Sequence, residues 1–232
     1  MCGRFSMFTY VKQVKDRFKI DDIMANIEPR YNIAPAQKIG TVVQRERRQL
    51  VEMKWGLVPS WAKDQKIGNR LINARAETVA TKPAFRSAFR KRRSLILADS
   101  FFEWQKSGDI KIPMLIRLKS EETFAMAGLY EYWKMKSGKT LESCTIVTTA
   151  GNDFMKSIHD RMPIILRPEN EDRWLDPELQ EVSEITKLLE PIDSDMMESY
   201  EVTTYVNSPR NQDSNVIRPA NYQATRLAMD GS

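Results

Sequence analysis

The sequence predicts an α+β fold built round a mostly antiparallel sheet or open barrel, with the helices peripheral. Three observations lead there. Short β-type runs succeed one another through most of the chain. Pro, Gly and polar turn segments separate them. The helical patterns are few, short and set between or after the strands.

In chain order, residues Thr9 to Phe18 form an amphipathic helix with Val11, Val14 and Phe18 on one side. IGTVVQ and QLVEMKW are two strands joined through the polar RERR turn as a hairpin. A loop rich in Gly, Pro and Trp follows, WGLVPSWAKDQKIGNR. SLILADSFFEWQK reads as one long strand, or two joined by a kink. IPMLIRL and TFAMAGLYEYW continue the β pattern, and KMKSGKT has the polarity and glycine of a hairpin turn. SCTIVTTA is a further strand whose Cys144 reads as a small buried hydrophobe. NDFMKSIHD is a short helix stopped near Pro163. PIILRP is strand-like, ENEDRWLD and ELQEVSEITKLLE are helical, and YEVTTYV is a late strand. From Asn207 onward the chain is Asn-, Pro- and Ser-rich, so the last ~15 residues are expected to be irregular. No linker, repeat or low-complexity tract interrupts the series, and residues 1–232 are read as one domain.

Composition bounds the function. The chain has 232 residues, 41% of them apolar and 29% charged, which suffices for a buried core. Thirty-six Lys and Arg against 31 Asp and Glu give a net charge of +5, a mild lean toward anionic partners such as nucleic acid. Two cysteines and no apolar leader point to a reducing, cytoplasmic setting, and no run approaches a membrane span. One histidine and two cysteines cannot build a Cys/His zinc cluster, so no metal and no cofactor is expected. SGKT at Ser137 to Thr140 lacks the earlier glycine of a phosphate loop, since Trp133 stands there. No G-x-S-x-G and no dinucleotide fingerprint occurs.

Cys2 directly follows the initiator methionine. Chain ends are poor places for packing. Once Met1 is removed, however, Cys2 carries a free α-amine beside its thiol, a pair that no internal cysteine offers. An amine near pKa 8 and a thiol near 8.5 both have usable nucleophilic fractions at neutral pH. The amine condenses with an aldehyde to an imine, and the tethered thiol adds to the imine carbon. Glu103 interrupts the aromatic run FFEW, where apolar surroundings would raise its pKa and suit it to acid–base work. His159 is the only histidine. Asn73 lies in INAR with Arg75 two residues on, on the same side of an extended segment. Trp55 reads as core. Trp61, across a Pro/Gly loop, reads as a stacking platform for a base. The run from Arg86 to Arg93 is the densest positive cluster, and Arg86 is its favoured phosphate ligand.

MCGRF, RYNIAP, WGLVPSW, INARAET, ADSFFEW, IHDRMP and VNSPRN stand in that order along the chain. Together they resemble the SRAP (SOS response-associated peptidase) family, abasic-site processing proteins of bacterial and phage type. The resemblance implies a monomeric sensor of abasic sites in single-stranded DNA. It would cross-link covalently to the lesion through Cys2 as a thiazolidine, shielding it for error-free repair. It also implies autopeptidase removal of Met1, a possible AP-lyase side activity, a link to the SOS response and association with the nucleoid. In its terms Cys2, Asn73, Glu103 and His159 are catalytic. Glu103 moves protons at the amine and imine, and His159 serves ring opening of the sugar. Arg4, Pro35, Trp61, Arg75, Arg86 and Thr149 contact DNA. Asp160, beside His159, is read as able to orient its neighbours and is assigned no catalysis. One departure is Ser100, where the family's A-D-G-x-x-E-W motif has glycine; its side chain would shift the strand or narrow the pocket. The residues also admit an N-terminal-nucleophile thiol peptidase or amidohydrolase, or a non-catalytic single-strand-binding module.

Overall fold

The computed structural model describes residues 2–221. The expectations for Met1, and for the chain after Asn221, lie outside the described residues. The strands are β1 (Phe5–Met7), β2 (Asp22–Ile23), β3 (Arg30–Ile33), β4 (Lys38–Gln44), β5 (Arg48–Trp55), β6 (Asn73–Arg75) and β7 (Arg93–Ala98). They continue as β8 (Ser100–Ser107), β9 (Ile110–Leu118), β10 (Phe124–Lys134), β11 (Thr140–Ala150), β12 (Arg161–Pro163) and β13 (Met197–Glu201). The α-helices are α1 (Val11–Arg17), α2 (Arg86–Lys91), α3 (Pro168–Leu175) and α4 (Val182–Thr186).

Two sheets share the strands. One runs β13-β9-β8-β1-β3, and the other β12-β11-β10-β7-β4-β5-β2. In the second sheet β5 also pairs with β11, so β11-β10-β7-β4-β5 closes on itself as a five-stranded barrel. The α+β class therefore holds, with a barrel that is closed rather than open. Closure is short and parallel: Ser143 lies opposite Lys54, and Cys144 opposite Trp55. The backbone N–H of Gly56 extends it by donating to Cys144 O at 2.8 Å. Gly56 has φ +125°, and a Cβ there would sit 2.7 Å from Gly68 O. Gly68 approaches Gly56 O as closely in return. Only glycine fits both positions, and the contact turns the chain out of the barrel into the Trp61 loop.

Both faces of the barrel strands are apolar, and they join the first sheet in one core. Val42, Leu50, Met53, Leu95, Leu97, Ala127, Leu129, Cys144 and Ile146 are all buried in one core with Phe5, Trp55 and Phe101. Trp55 is core as expected, its indole N–H donating to Ile72 O at 2.9 Å. Phe102, Leu115, Val202, Val206 and Val216 make a smaller cluster on the far face of the first sheet. The β4–β5 hairpin forms as expected, but Gln44 lies opposite Arg48, so the last residue of the RERR turn belongs to β5.

One alternative is decided and three elements differ from expectation. SLILADSFFEWQK is the kinked pair, two strands in two sheets broken at Asp99. Its carboxylate accepts the backbone N–H groups of Phe8 and Thr9 and the hydroxyls of Thr9 and Thr123. NDFMKSIHD supplies only a single 3-10 turn, Met155–Ser157, ahead of which the Asn152 side chain accepts from Met155 N–H and donates to Ile192 O. The helix in ELQEVSEITKLLE is confined to Val182–Thr186. YEVTTYV contributes Tyr200 and Glu201 to a strand that begins at Met197; its second half is a 3-10 turn, Thr204–Asn207, that buries Val206.

Arg93 is 4% exposed and donates to the carbonyls of Phe89, Arg90, Trp174, Asp176 and Leu179. It ties α2 to the end of α3 and the chain leading into α4. Arg93→Met would leave those carbonyls without their donor. Each orphaned buried acceptor costs roughly 1–3 kcal/mol, partly relieved by relaxation. The variant is expected to lose at least about 3 kcal/mol, read as a lower urea midpoint at unchanged m-value.

Candidate active site

The N-terminal segment is held inside the molecule. Phe5 pairs with Phe101 and Ser6 with Ser100, and the Phe102 N–H donates to Arg4 O at 2.9 Å. Continued toward the N-terminus, this register sets Gly3 opposite Glu103 and Cys2 one position beyond. Cys2 is fully buried, and the Asn73 side-chain amide donates to its carbonyl at 2.9 Å. Asn73 is positioned by β6, which runs parallel to β11 with Asn73 opposite Ile146.

Burial pushes the Cys2 thiol well up, and the neighbouring Glu103 carboxylate adds to this, so the sulfur is a neutral thiol at physiological pH. Glu103 is 4% exposed. Burial raises its pKa to about 7, and the charge of Asp160 pushes the same way. The setting inferred from the FFEW run is the one observed.

His159 follows the Met155–Ser157 turn and leads into β12. Its backbone N–H donates to Met155 O at 2.7 Å. Gly151 fits beneath it, since a Cβ there would lie 2.9 Å from His159 O. The ring Nε2 is 3.8 Å from Glu103 Oε2. Burial holds the imidazole pKa below its usual value, opposed by Asp160. The groups expected to be catalytic thus converge from four parts of the chain: Cys2 ahead of β1, Asn73 on β6, Glu103 on β8 and His159 before β12.

Glu103 and His159 open onto a cleft of about 480 Å³, which is also lined by Trp104, Lys106, Lys111 and Asn207. The Trp104 indole N–H donates to Asn207 Oδ1 at 2.8 Å. The Arg4 guanidinium lies 5.8 Å from the Trp104 ring centroid. It also donates to Asn32 Oδ1 at 2.6 Å and to Val206 O at 2.7 Å. Arg4 is therefore half-buried and braces the mouth of the cleft. Lys106 and Lys111 were not singled out by the sequence; they oppose each other across the β8–β9 hairpin. Like charges so placed repel, and an anion between them would relieve the repulsion.

The remaining expected contacts are spread more widely. Arg75 is exposed and sits opposite Thr148 on β11, next to half-buried Thr149. Thr149 pairs in turn with Met162 of β12. Pro35 is half-buried beyond β3. Trp61 is 59% exposed and lines a different cleft with Lys63, Lys66 and Arg70. Arg86 is exposed beside Ser87, Arg90 and Lys91 in a third. The basic run is not one groove: Arg93 is buried, and Arg92 pairs with Glu131 at 2.8 Å, which leaves Arg86, Arg90 and Lys91 facing solvent. Ser100 does not narrow the cleft. Its hydroxyl is buried against that of Ser6 at 2.6 Å. Among the described residues no cluster of three or more His, Cys, Asp or Glu is placed to hold a metal ion, and no helix is long and apolar enough to cross a membrane.

The fold and site together define a closed-barrel protein whose penultimate N-terminal residue is a buried cysteine, set beside a carboxyl that titrates near neutrality and a single histidine. Residues 1–209 match the family described as SOS response associated peptidase (SRAP), and the chain belongs to that family. It is 47% identical over 221 residues to the Bacillus subtilis abasic site processing protein YoqW, covering 94% of this chain and 99% of that one. It is 32% identical to abasic site processing protein YedK of Escherichia coli over 94% of this chain and the whole of that one. A crystal structure of a Bacteroides thetaiotaomicron protein, 30% identical, superposes with a TM-score of 0.86 over 94% of this chain and 99% of that one.

The raised Glu103 pKa carries a stability signature. Below about pH 4.5 both folded and unfolded chains hold the proton; between there and about pH 7 the folded chain alone holds it. Stability contributed at this group therefore falls as pH rises through that window, by on the order of 3 kcal/mol in full. Glu103→Gln removes this dependence. Urea titrations at pH 5 and pH 8 should show the wild type losing roughly 2–3 kcal/mol relative to the variant. Parallel curves would refute the assignment.

Proposed function

We propose that this protein senses abasic sites in single-stranded DNA and cross-links to them through Cys2 once Met1 has been removed. The reading rests on one observation above all: the Cys2 backbone is pinned by Asn73 beside Glu103, which stands 3.8 Å from His159. It is supported by the names of the relatives, which are called abasic site processing proteins.

The chemistry follows from the protonation states. A ring-opened abasic sugar presents an aldehyde. The Cys2 thiol is neutral and buried, so the α-amine attacks first. The carbonyl oxygen leaves as water and an imine forms. The S–H then adds across the C=N bond: sulfur bonds to carbon, nitrogen takes the proton, and a five-membered thiazolidine results with net loss of one water. Glu103, titrating near pH 7, both accepts the ammonium proton and returns a proton to the departing oxygen. His159 Nε2, on the cleft side of the ring, serves opening of the sugar. Ring closure consumes the imine through which β-elimination would cut the strand; AP-lyase activity is then the minor branch in which elimination precedes closure. Removal of Met1 draws on the same Glu103 as proton carrier. Phosphates on either side of the lesion meet Arg4 at the cleft mouth, the Lys106–Lys111 pair, and Arg75 with Thr149 on the neighbouring strands. Trp61 and Pro35 contact bases or sugars further along, and Arg86 the backbone.

Intact-mass analysis after incubation with an oligonucleotide carrying one abasic site tests this. The expected product lacks Met1 and carries the oligonucleotide mass less one water. It is absent in Cys2→Ala, and absent when one Ala is inserted ahead of Cys2. Glu103→Gln and His159→Ala should slow its formation by about 10²-fold or more. An adduct that persists in Cys2→Ala would overturn the reading, and release of unrelated peptides without adduct would favour a thiol peptidase.

A further inference from the structure

His159 Nδ1 is contested by two partners. The backbone N–H of Arg161 reaches it at 2.9 Å, and Asp160 Oδ1 lies 2.8 Å away. Both contacts have hydrogen-bond length, yet they cannot both be hydrogen bonds at once. The Arg161 amide needs a lone pair on Nδ1. The Asp160 carboxylate needs a proton there. Each partner thus selects a different ring. With Arg161 donating, the neutral ring carries its proton on Nε2 and can only donate into the cleft. With Asp160 accepting, Nδ1 is protonated, and the ring is either imidazolium or a neutral form whose Nε2 is a base.

We propose that Asp160 is a positioning residue that converts His159 from a fixed donor into a group able to deliver and retrieve a proton at Nε2. The proton balance closes within the ring. Asp160 holds the Nδ1 proton throughout while Nε2 gives its proton to the substrate and takes one back, and no tautomer exchange through solvent is needed. Without Asp160, loss of the Nε2 proton would leave an anionic ring or require Nδ1 to be protonated first, against the Arg161 amide. The backbone permits this placement because the Asp160 carbonyl is anchored by Gly151 N–H at 2.8 Å, while its side chain is 87% exposed. The other charged or titratable groups near the ring are Glu103 from β8 and the Arg161 side chain, with Lys106 and Lys111 from the β8–β9 hairpin lining the same cleft. Arg161 is itself engaged by Glu77 and Thr148 O. The carboxylate of Asp160 is thus the nearest charge on the Nδ1 side, and it opposes the lowering that burial imposes.

The inference bears on the proposed cross-linking but is tested apart from it, because His159 is the chain's only histidine and gives a single set of imidazole signals. Nitrogen-15 NMR of the free protein reports both its pKa and its tautomer. In Asp160→Asn the pKa should fall by roughly half a pH unit, and the neutral ring should move toward the form protonated at Nε2. Asp160→Glu should restore both. The acid limb of the rate of adduct formation should move with the pKa, while affinity for single-stranded DNA carrying a tetrahydrofuran analogue, which cannot open, stays unchanged. An unaltered His159 titration and tautomer in Asp160→Asn overturns the inference. Failure of the wild type to form any adduct would count against the abasic-site reading alone, since the NMR result stands independently of it.

Discussion

Closure of the barrel by β5 against β11 is the contact on which the rest depends. Two residue pairs make it, and the close approach of Gly56 and Gly68 lets the chain leave immediately afterwards. Because β11 is eleven residues long, only its first part serves the barrel. Beyond Cys144 the edge that β5 leaves is taken by β6, over Ile146 to Thr148, and beyond Ile146 the edge that β10 leaves is taken by β12, over Thr148 to Ala150. Asn73 rides on the first and His159 leads into the second. A single strand therefore fixes the distance between two groups that lie far apart in the chain, without either depending on a flexible loop.

The same desolvation acts on three titratable groups with different results. Burial disfavours the charged form, so it raises Cys2 and Glu103 and lowers His159. The consequence is that burial favours the neutral form of all three groups. For the proposed cross-linking it also sets an order of events. A buried neutral thiol is a poor first nucleophile, whereas it is well placed to close a ring on a carbon already bonded to its own amine.

Local chemistry was readable in the sequence, and long-range chemistry was not. The β4–β5 hairpin, the core role of Trp55 and the apolar setting of Glu103 all follow from patterns within a few residues. The break at Asp99 does not. It depends on Phe8, Thr9 and Thr123, which come from the N-terminal segment and the start of β10. Arg93 was counted as surface charge because its neighbours are basic, whereas its partners are carbonyls contributed chiefly by α3 and the following turn. Lys106 and Lys111 went unnoticed because five residues separate them, and only the hairpin register sets them opposite each other. The sequence order of the SRAP motifs pointed to the family, but not to which basic residues share the cleft.

The arrangement of Asn32 explains how a chain terminus becomes a precise part of the site. Asn32 is fully buried; its carbonyl oxygen accepts from Arg4, and its amide donates to the carbonyls of Val206, Ser208 and Asn211. It therefore joins the N-terminal segment to the loop that carries Asn207, and Asn207 in turn holds Trp104. Chain ends ordinarily fray because few contacts offset their conformational entropy. Here Cys2 is fully buried and fixed from one side by Asn73 and from the other through Arg4. The proposed two-step reaction needs that restriction: the amine must meet the aldehyde and the thiol must then meet the same carbon. Each rotor frozen beforehand is one that the reaction does not have to freeze.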